Sequence, residues 1–375
     1  MNVTPLQPTI PLSERALAPG REMSSNKKVF GRVAMLLLAC AMVLISANRV
    51  SAQSRVATSA ASFLTIGSGA RGSSLGHAYT ASATGADALL WNPAGAARTV
   101  HGGGKGSLFF SHTDWLVGIN YDAFGLVIPA VGQGVVGISL AQMDYGRMIV
   151  RTVDLPEGTG ETFGASDLLI GVSYAQPLTD RFFIGGTGKY IGQRIYDMSA
   201  STFAFDIGFV LQTDYFNGMR IAASIMNFGG LMKMDGVNSR VFVDIDPTSS
   251  GSNDALPAML ETTGWDLPLS FKFGVALPLV KTDLVAWELL ADAHQTNDNG
   301  LNMDMGTEMR FSVSPAALNL RVGYKDMPLD NTYSHLTFGA GVDMTLSGVR
   351  FGADYGYVPF VDLGNVSMLD FRVTF

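Results

Sequence analysis

Met368-Leu369-Asp370-Phe371-Arg372-Val373-Thr374-Phe375 alternates apolar and polar side chains and stops on an aromatic. Side chains in a strand point to opposite faces with a period of two. Leu369, Phe371, Val373 and Phe375 therefore share one face, and Asp370, Arg372 and Thr374 the other. One face suits lipid and the other a wet interior. A soluble edge strand can alternate in the same way, so recurrence decides. Val349, Phe351, Ala353, Tyr355 and Tyr357 oppose Arg350, Gly352, Asp354 and Gly356. Met303, Met305, Met309 and Phe311 oppose Asn302, Asp304, Glu308 and Arg310, and 318–325 and 335–344 repeat the division. Each segment has roughly the ten residues that a tilted strand needs to cross a hydrocarbon layer. Only a closed sheet satisfies every backbone group there. The expectation is an all-β, transmembrane antiparallel barrel.

Outward from that stretch, strands are expected near 107–112, 117–128, 134–144, 166–176, 181–193, 202–212, 218–228, 269–278, 283–293, 302–313, 317–325, 334–345, 348–357 and 367–375. That makes about fourteen, an even number as single-chain bacterial barrels require. Turn-rich links at Pro129 to Gln133, Pro177 to Asp180, Pro278 to Asp283 and Leu346 to Gly348 read as short periplasmic turns. Longer links at Tyr145 to Ala165, Gly229 to Pro268, His294 to Gly300, Asp326 to Tyr333 and Val358 to Val366 read as outer loops. The link His112 to Leu116 is short for an outer loop. Trp115, Trp265, Trp287, Tyr121, Tyr324, Tyr355 and Tyr357 are candidates for aromatic girdles at the two membrane interfaces.

Mean hydropathy is +0.23 with 15% charged residues, yet beyond the N-terminus no apolar run reaches the roughly 18 residues of a spanning helix. A single cysteine, Cys40, excludes an intramolecular disulfide framework and a thiolate metal cluster. A net charge of −7 leaves no basic footprint for nucleic acid. Asn26-Lys27-Lys28 and Arg32, apolar Val33 to Ala47, and Val50-Ser51-Ala52 have the layout of a secretory signal peptide cleaved after Ala52. The Pro-rich stretch before it points to a true start at Met23. Leu37-Leu38-Ala39-Cys40 also fits a lipoprotein box, but the run to Ala47 stays apolar. Residues 1–52 are thus read as extension and signal peptide, 53–106 as a Gly/Ala/Ser-rich plug, and 107–375 as barrel.

Gly67-Ser68-Gly69-Ala70-Arg71-Gly72 matches the dinucleotide pattern GxGxxG but lacks the strand-turn-helix setting that gives it meaning. No cofactor is assigned. The five histidines show no metal-ligand spacing. Acids including Asp206, Glu288, Asp292, Asp304, Glu308, Asp343 and Asp354 share the expected lumen with basic residues 220, 272, 310, 321, 325 and 350. Charges facing each other across a barrel pair to offset desolvation and to hold a plug. No nucleophile, base and orienter assemble, so the chain is read as no enzyme. Asp244, Asp246 and Asp254 in the longest loop present oxygens suited to weak calcium binding, against the simpler reading of a solvated acidic loop.

Phe63-Leu64-Thr65-Ile66-Gly67, Ala70-Arg71-Gly72, Gly76, Asp87-Ala88 and Trp91-Asn92-Pro93-Ala94-Gly95 together resemble the N-terminal signature of the PorV/PorQ family. Ser111 to Leu116, Gly164 to Asp167 and Asn227 to Gly230 are similar to family segments too, and the resemblance covers the mature chain. Its Asn-Pro-Ala core also resembles the matching element of FadL-type transporters. The resemblance implies a FadL-like fourteen-stranded outer-membrane barrel with an N-terminal plug. It also implies one of two roles: service in type IX secretion, binding or shuttling cargo among secretion-system subunits, or uptake of a hydrophobic ligand. The long outer loops and the mixed-charge lumen favour secretion. A structural or adhesive surface barrel stays open as a third class. Trp91, Asn92, Pro93, Ala94 and Gly95 are expected to set the plug's turn, because proline fixes its own φ and biases Asn92 away from helix. Phe371, Val373 and Phe375 are expected, from the resemblance, to signal to the barrel-assembly machinery.

Overall fold

A computed structural model describes residues 58–375 apart from 131, 247, 249–254, 328–334 and 361–362. The signal peptide, the start at Met23, the lipoprotein box and Asp254 lie outside the described residues.

Fourteen long strands close into one antiparallel sheet. The first seven are β1 (Ser107–Asp114), β2 (Asn120–Pro129), β3 (Val135–Ile149), β4 (Thr162–Thr179), β5 (Phe182–Ile195), β6 (Met198–Gln212) and β7 (Arg220–Gly229). A long loop carrying the short strands β8 (Asp235–Gly236), β9 (Arg240–Val243) and β10 (Leu256–Met259) follows. The wall resumes with β11 (Ser270–Lys281), β12 (Val285–Thr296), β13 (Leu301–Val313), β14 (Ala316–Met327), β15 (Leu336–Leu346), β16 (Val349–Phe360) and β17 (Gly364–Thr374). β1 and β17 form the seam, paired from Ser107 with Thr374 to Asp114 with Ser367. No edge is left open, as a hydrocarbon layer demands. No described helix is long and apolar enough to cross a membrane.

The two faces separate as the alternation requires. Phe371 is 49% exposed on the outside, while Asp370 beside it is 1% exposed on the inside. Links at the end of the barrel nearest Phe375 are short, among them Thr179 to Phe182, Val313 to Ala316 and Leu346 to Val349. The opposite end carries the long link from Gly229 to Ser270. The Phe375 end is therefore periplasmic and the other faces outward.

Three expectations need correction. The loop expected over Tyr145 to Ala165 is shorter, because β3 runs to Ile149 and β4 begins at Thr162, with Met148 paired to Phe163 beyond a register shift at Asp144. β5 and β6 likewise extend to a tight turn at Tyr196 and Asp197. Ladder hydrogen bonds continue past the membrane, where both faces are wet and alternation no longer marks the strand. Tyr121 belongs to no girdle. Its β2 register turns it inward, where it is 4% exposed and its hydroxyl lies 2.5 Å from Ser68 Oγ.

Residues 58–106 pack inside the barrel as short turns, a helix at Ala70–Ser74 and another at Ala94–His101. The segment begins at the outer rim, where Ser59 Oγ donates to Asp298 (2.6 Å) and the Ala60 amide to the Asp266 carbonyl (2.8 Å). It ends at the periplasmic rim, where the amides of Lys105 and Gly106 donate to the Phe375 carbonyl. This inner segment spans the barrel from end to end.

Candidate functional site: a filled lumen

The Asn-Pro turn is the first anchor. Pro93, at φ −59°, caps the helix Ala94–His101, a position where its missing N–H costs nothing. Asn92 is fully buried. Its amide donates to the Thr80 carbonyl (3.1 Å) and to the Phe209 carbonyl on β6 (3.3 Å), and its Oδ1 accepts from the Ala94 amide (3.2 Å). The wall admits this close approach because glycines lie beneath it. A Cβ at Gly185 on β5 would sit 2.6 Å from the Ala94 nitrogen, and one at Gly208 on β6 would collide with the Asn92 amide. Trp91 donates from Nε1 to the Ser68 carbonyl (2.7 Å), meets His77 and Tyr79 edge-on, and lies under the Lys272 ammonium at 5.0 Å.

The second anchor is ionic. Arg71 of the inner segment pairs with Glu308 on β13 (2.9 Å), and Glu308 also pairs with Arg321 on β14. Arg321 continues to Asp354 on β16 (2.6 Å), Asp354 meets Arg372 on β17, and Asp343 on β15 takes Arg310 (2.6 Å) and Arg372 (3.4 Å). Each carboxylate of this ion-pair network, Glu308, Asp343 and Asp354, has at least one guanidinium, the condition under which buried charge is tolerated. Wall side chains also take up main-chain amides: Asp370 accepts from Ala70 (2.6 Å), Thr337 from Gly76 (3.0 Å) and Asp292 from Thr80 (2.9 Å). The Gly67 to Gly72 motif thus presents its Ala70 amide to a wall carboxylate.

Burial, opposed by the charge of Arg372, raises Asp87 above the usual carboxylate range, and the Tyr79 hydroxyl donates to it (2.7 Å). Burial lowers His77 well below the usual imidazole value. Burial, reinforced by the nearby Arg220 charge, lowers Arg98 to about 9. A cavity of about 470 Å³ opens at the periplasmic end between the inner segment and β13 to β17.

At the outer end, β9 and β10 form a hairpin with exposed Phe242, Ile245, Met259 and Leu260 around it. Asp244 Oδ1 accepts from the Asp246 amide (3.0 Å), and Asp246 accepts from the amide and hydroxyl of Thr248. Those Thr248 contacts hold Asp246 below its ordinary carboxylate value. Phe371 and Phe375 face outward on or beside the last strand. Phe375 is tied across the seam to Gly106 through both main-chain groups.

A closed fourteen-stranded barrel with a lipid-facing exterior and a filled lumen defines an outer-membrane protein of the secretion and transport class. Residues 49–256, more than half of the chain, match the family model described as Type IX secretion system protein PorV, and the chain belongs to that family. Among solved structures, it is similar to the CymD monoaromatic hydrocarbon channel at 12% identity and a TM-score of 0.52, over 82% of this chain and 97% of that one. It is also similar to the toluene transporter TodX of Pseudomonas putida, at 11% identity and a TM-score of 0.50, over 82% and 97% of the two chains. At such identity the likeness shows the fold alone. No curated protein matches the chain in sequence.

Sequence reasoning placed Glu308, Arg310, Arg321, Asp343 and Asp354 on the lumen face but did not foresee Arg71 and Arg98 as their partners and neighbours. A signal existed: in the small-residue stretch 58–104, these are the only two arginines.

Proposed function

We propose that this barrel binds a secreted protein at its outer rim as part of type IX secretion, passing it between secretion-system subunits. The observation that carries the proposal is the loop between β7 and β11. Phe242 and Ile245 are 77% and 75% exposed there, an apolar surface that a soluble partner would cover. Residues 53–106 act as a plug, residues 1–52 as an extension and signal peptide starting at Met23, and Phe371, Val373 and Phe375 as the signal read by the barrel-assembly machinery. Uptake of a hydrophobic molecule is the weaker reading, because six arginines and three carboxylates share the lining of the periplasmic cavity with Leu108, Phe109 and Phe375.

The test is a pull-down of the tagged barrel from its own outer membrane, with mass spectrometry of proteins and lipids, repeated for F242S together with I245S. Recovery of secreted proteins or translocon subunits that is lost in the double variant supports the proposal. Recovery of apolar small molecules without protein partners would replace it with uptake.

A further inference from the structure

The periplasmic cavity has an unbalanced lining. Arg71, Arg98, Arg310, Arg321, Arg350 and Arg372 converge on it. Asp87, Glu308 and Asp343 share the lining, and Asp354 stands behind Arg321 and Arg372. Four of the guanidiniums are paired within the ion-pair chain already described, which supplies three carboxylates. Arg98 and Arg350 are not: among the described residues neither has a carboxylate within ion-pair distance. Arg98 donates to the Ala83 carbonyl (3.2 Å), which satisfies one of its five N–H groups.

Holding an unpaired guanidinium in a lumen is costly, and the lowered value of Arg98 reflects that cost. The single bond to Ala83 uses neither the charge nor the planar fork of the guanidinium. The two unpaired arginines come from different parts of the molecule: half-buried Arg98 from the inner helix Ala94–His101, and Arg350, exposed at the mouth of the cavity and so free of that cost, from the start of β16. The planar guanidinium fork matches phosphate and carboxylate geometry better than it matches water.

We infer that this cavity binds a small multivalent oxyanion from the periplasm, carrying two or more phosphate or carboxylate groups and held by Arg98 and Arg350. An anion spanning the two side chains ties the inner segment to the wall, so occupancy and retention of the segment are linked. Of the three carboxylates in the lining, Glu308 and Asp343 are held by arginine partners and Asp87 accepts from the Tyr79 hydroxyl (2.7 Å).

Isothermal titration of the full chain in detergent micelles, at low ionic strength to limit screening, tests this with pyrophosphate for the phosphate arm and citrate for the carboxylate arm. The expected result is one site per barrel for at least one of the two, weakened at least tenfold in R98Q and in R350Q. Which anion binds identifies the headgroup chemistry. Folding of each variant is checked by the electrophoretic mobility of the unheated barrel. Arg350 makes no ion pair among the described residues, so R350Q keeps the test valid if R98Q fails to fold. No binding of either anion at millimolar concentration, or equal binding by wild type and R350Q, overturns the inference.

Discussion

The two ends of the inner segment's path are gripped by unlike chemistry. Around the helix Ala94–His101, strands β3 to β6 offer alanines, glycines and Phe183, and the fit is one of close backbone approach. Around the helix Ala70–Ser74, strands β13 to β17 offer carboxylates, hydroxyls and arginines. The first grip is steric and insensitive to pH. The second is electrostatic, specific in register and vulnerable to the loss of any one partner. A segment that must stay put could use the first grip throughout. The second adds a part of the contact that ionic strength can weaken.

The largest effect is expected where one carboxylate serves two guanidiniums. Glu308→Gln leaves Arg71 and Arg321 with weakened partners, at a cost of about 3–5 kcal/mol. Urea unfolding of the barrel in micelles should show the loss, with protease cleavage inside residues 58–104 appearing first. An unchanged midpoint would mean that the ionic grip is decorative. Next comes Gly208→Val, which places a side chain where the Asn92 amide lies and costs about 1–3 kcal/mol by overpacking. Here cleavage is expected near Asn92 while Arg71 stays protected. If both regions open together, the two grips are one cooperative unit.

Asn92→Ala should cost about 1 kcal/mol for each hydrogen bond lost, leaving the Thr80 and Phe209 carbonyls without their donor. Amide hydrogen exchange across 80–96 checks it. The smallest effect concerns acidity. Burial depresses His77, so below an unfolded value of about 6.5 the released segment binds a proton that the packed one does not. Stability is therefore fully present above about pH 6.5 and declines as pH falls toward the depressed value. His77 has φ 71°, and Asn tolerates that backbone. His77→Asn should flatten the acid limb of segment release, followed by limited proteolysis across pH 5–8.

The wall was legible because a membrane enforces it. Every residue of a β17-like segment must choose lipid or lumen, and the chain records the choice as alternation in Leu369, Asp370, Phe371 and Arg372. Where that pressure ends, reading fails, as at the outer extensions of β3 and β4. Tyr121 was misread for a related reason: β2 carries Asp122, Phe124 and Leu126 outward and Tyr121, Ala123 and Gly125 inward, so polarity alone does not say which face is wet. The inner segment was less legible still. Its contacts with Glu308, Thr337 and Asp370 join residues more than two hundred positions apart, and no local period encodes such a separation.

The inner segment also links the two rims of the barrel. Its upper end is bonded to Asp266, in the loop between β7 and β11, and to Asp298 in the next outer turn. Its lower end lies against the arginine-lined cavity and the Gly106–Phe375 joint at the seam. That loop and the periplasmic face are thus joined by one covalent chain.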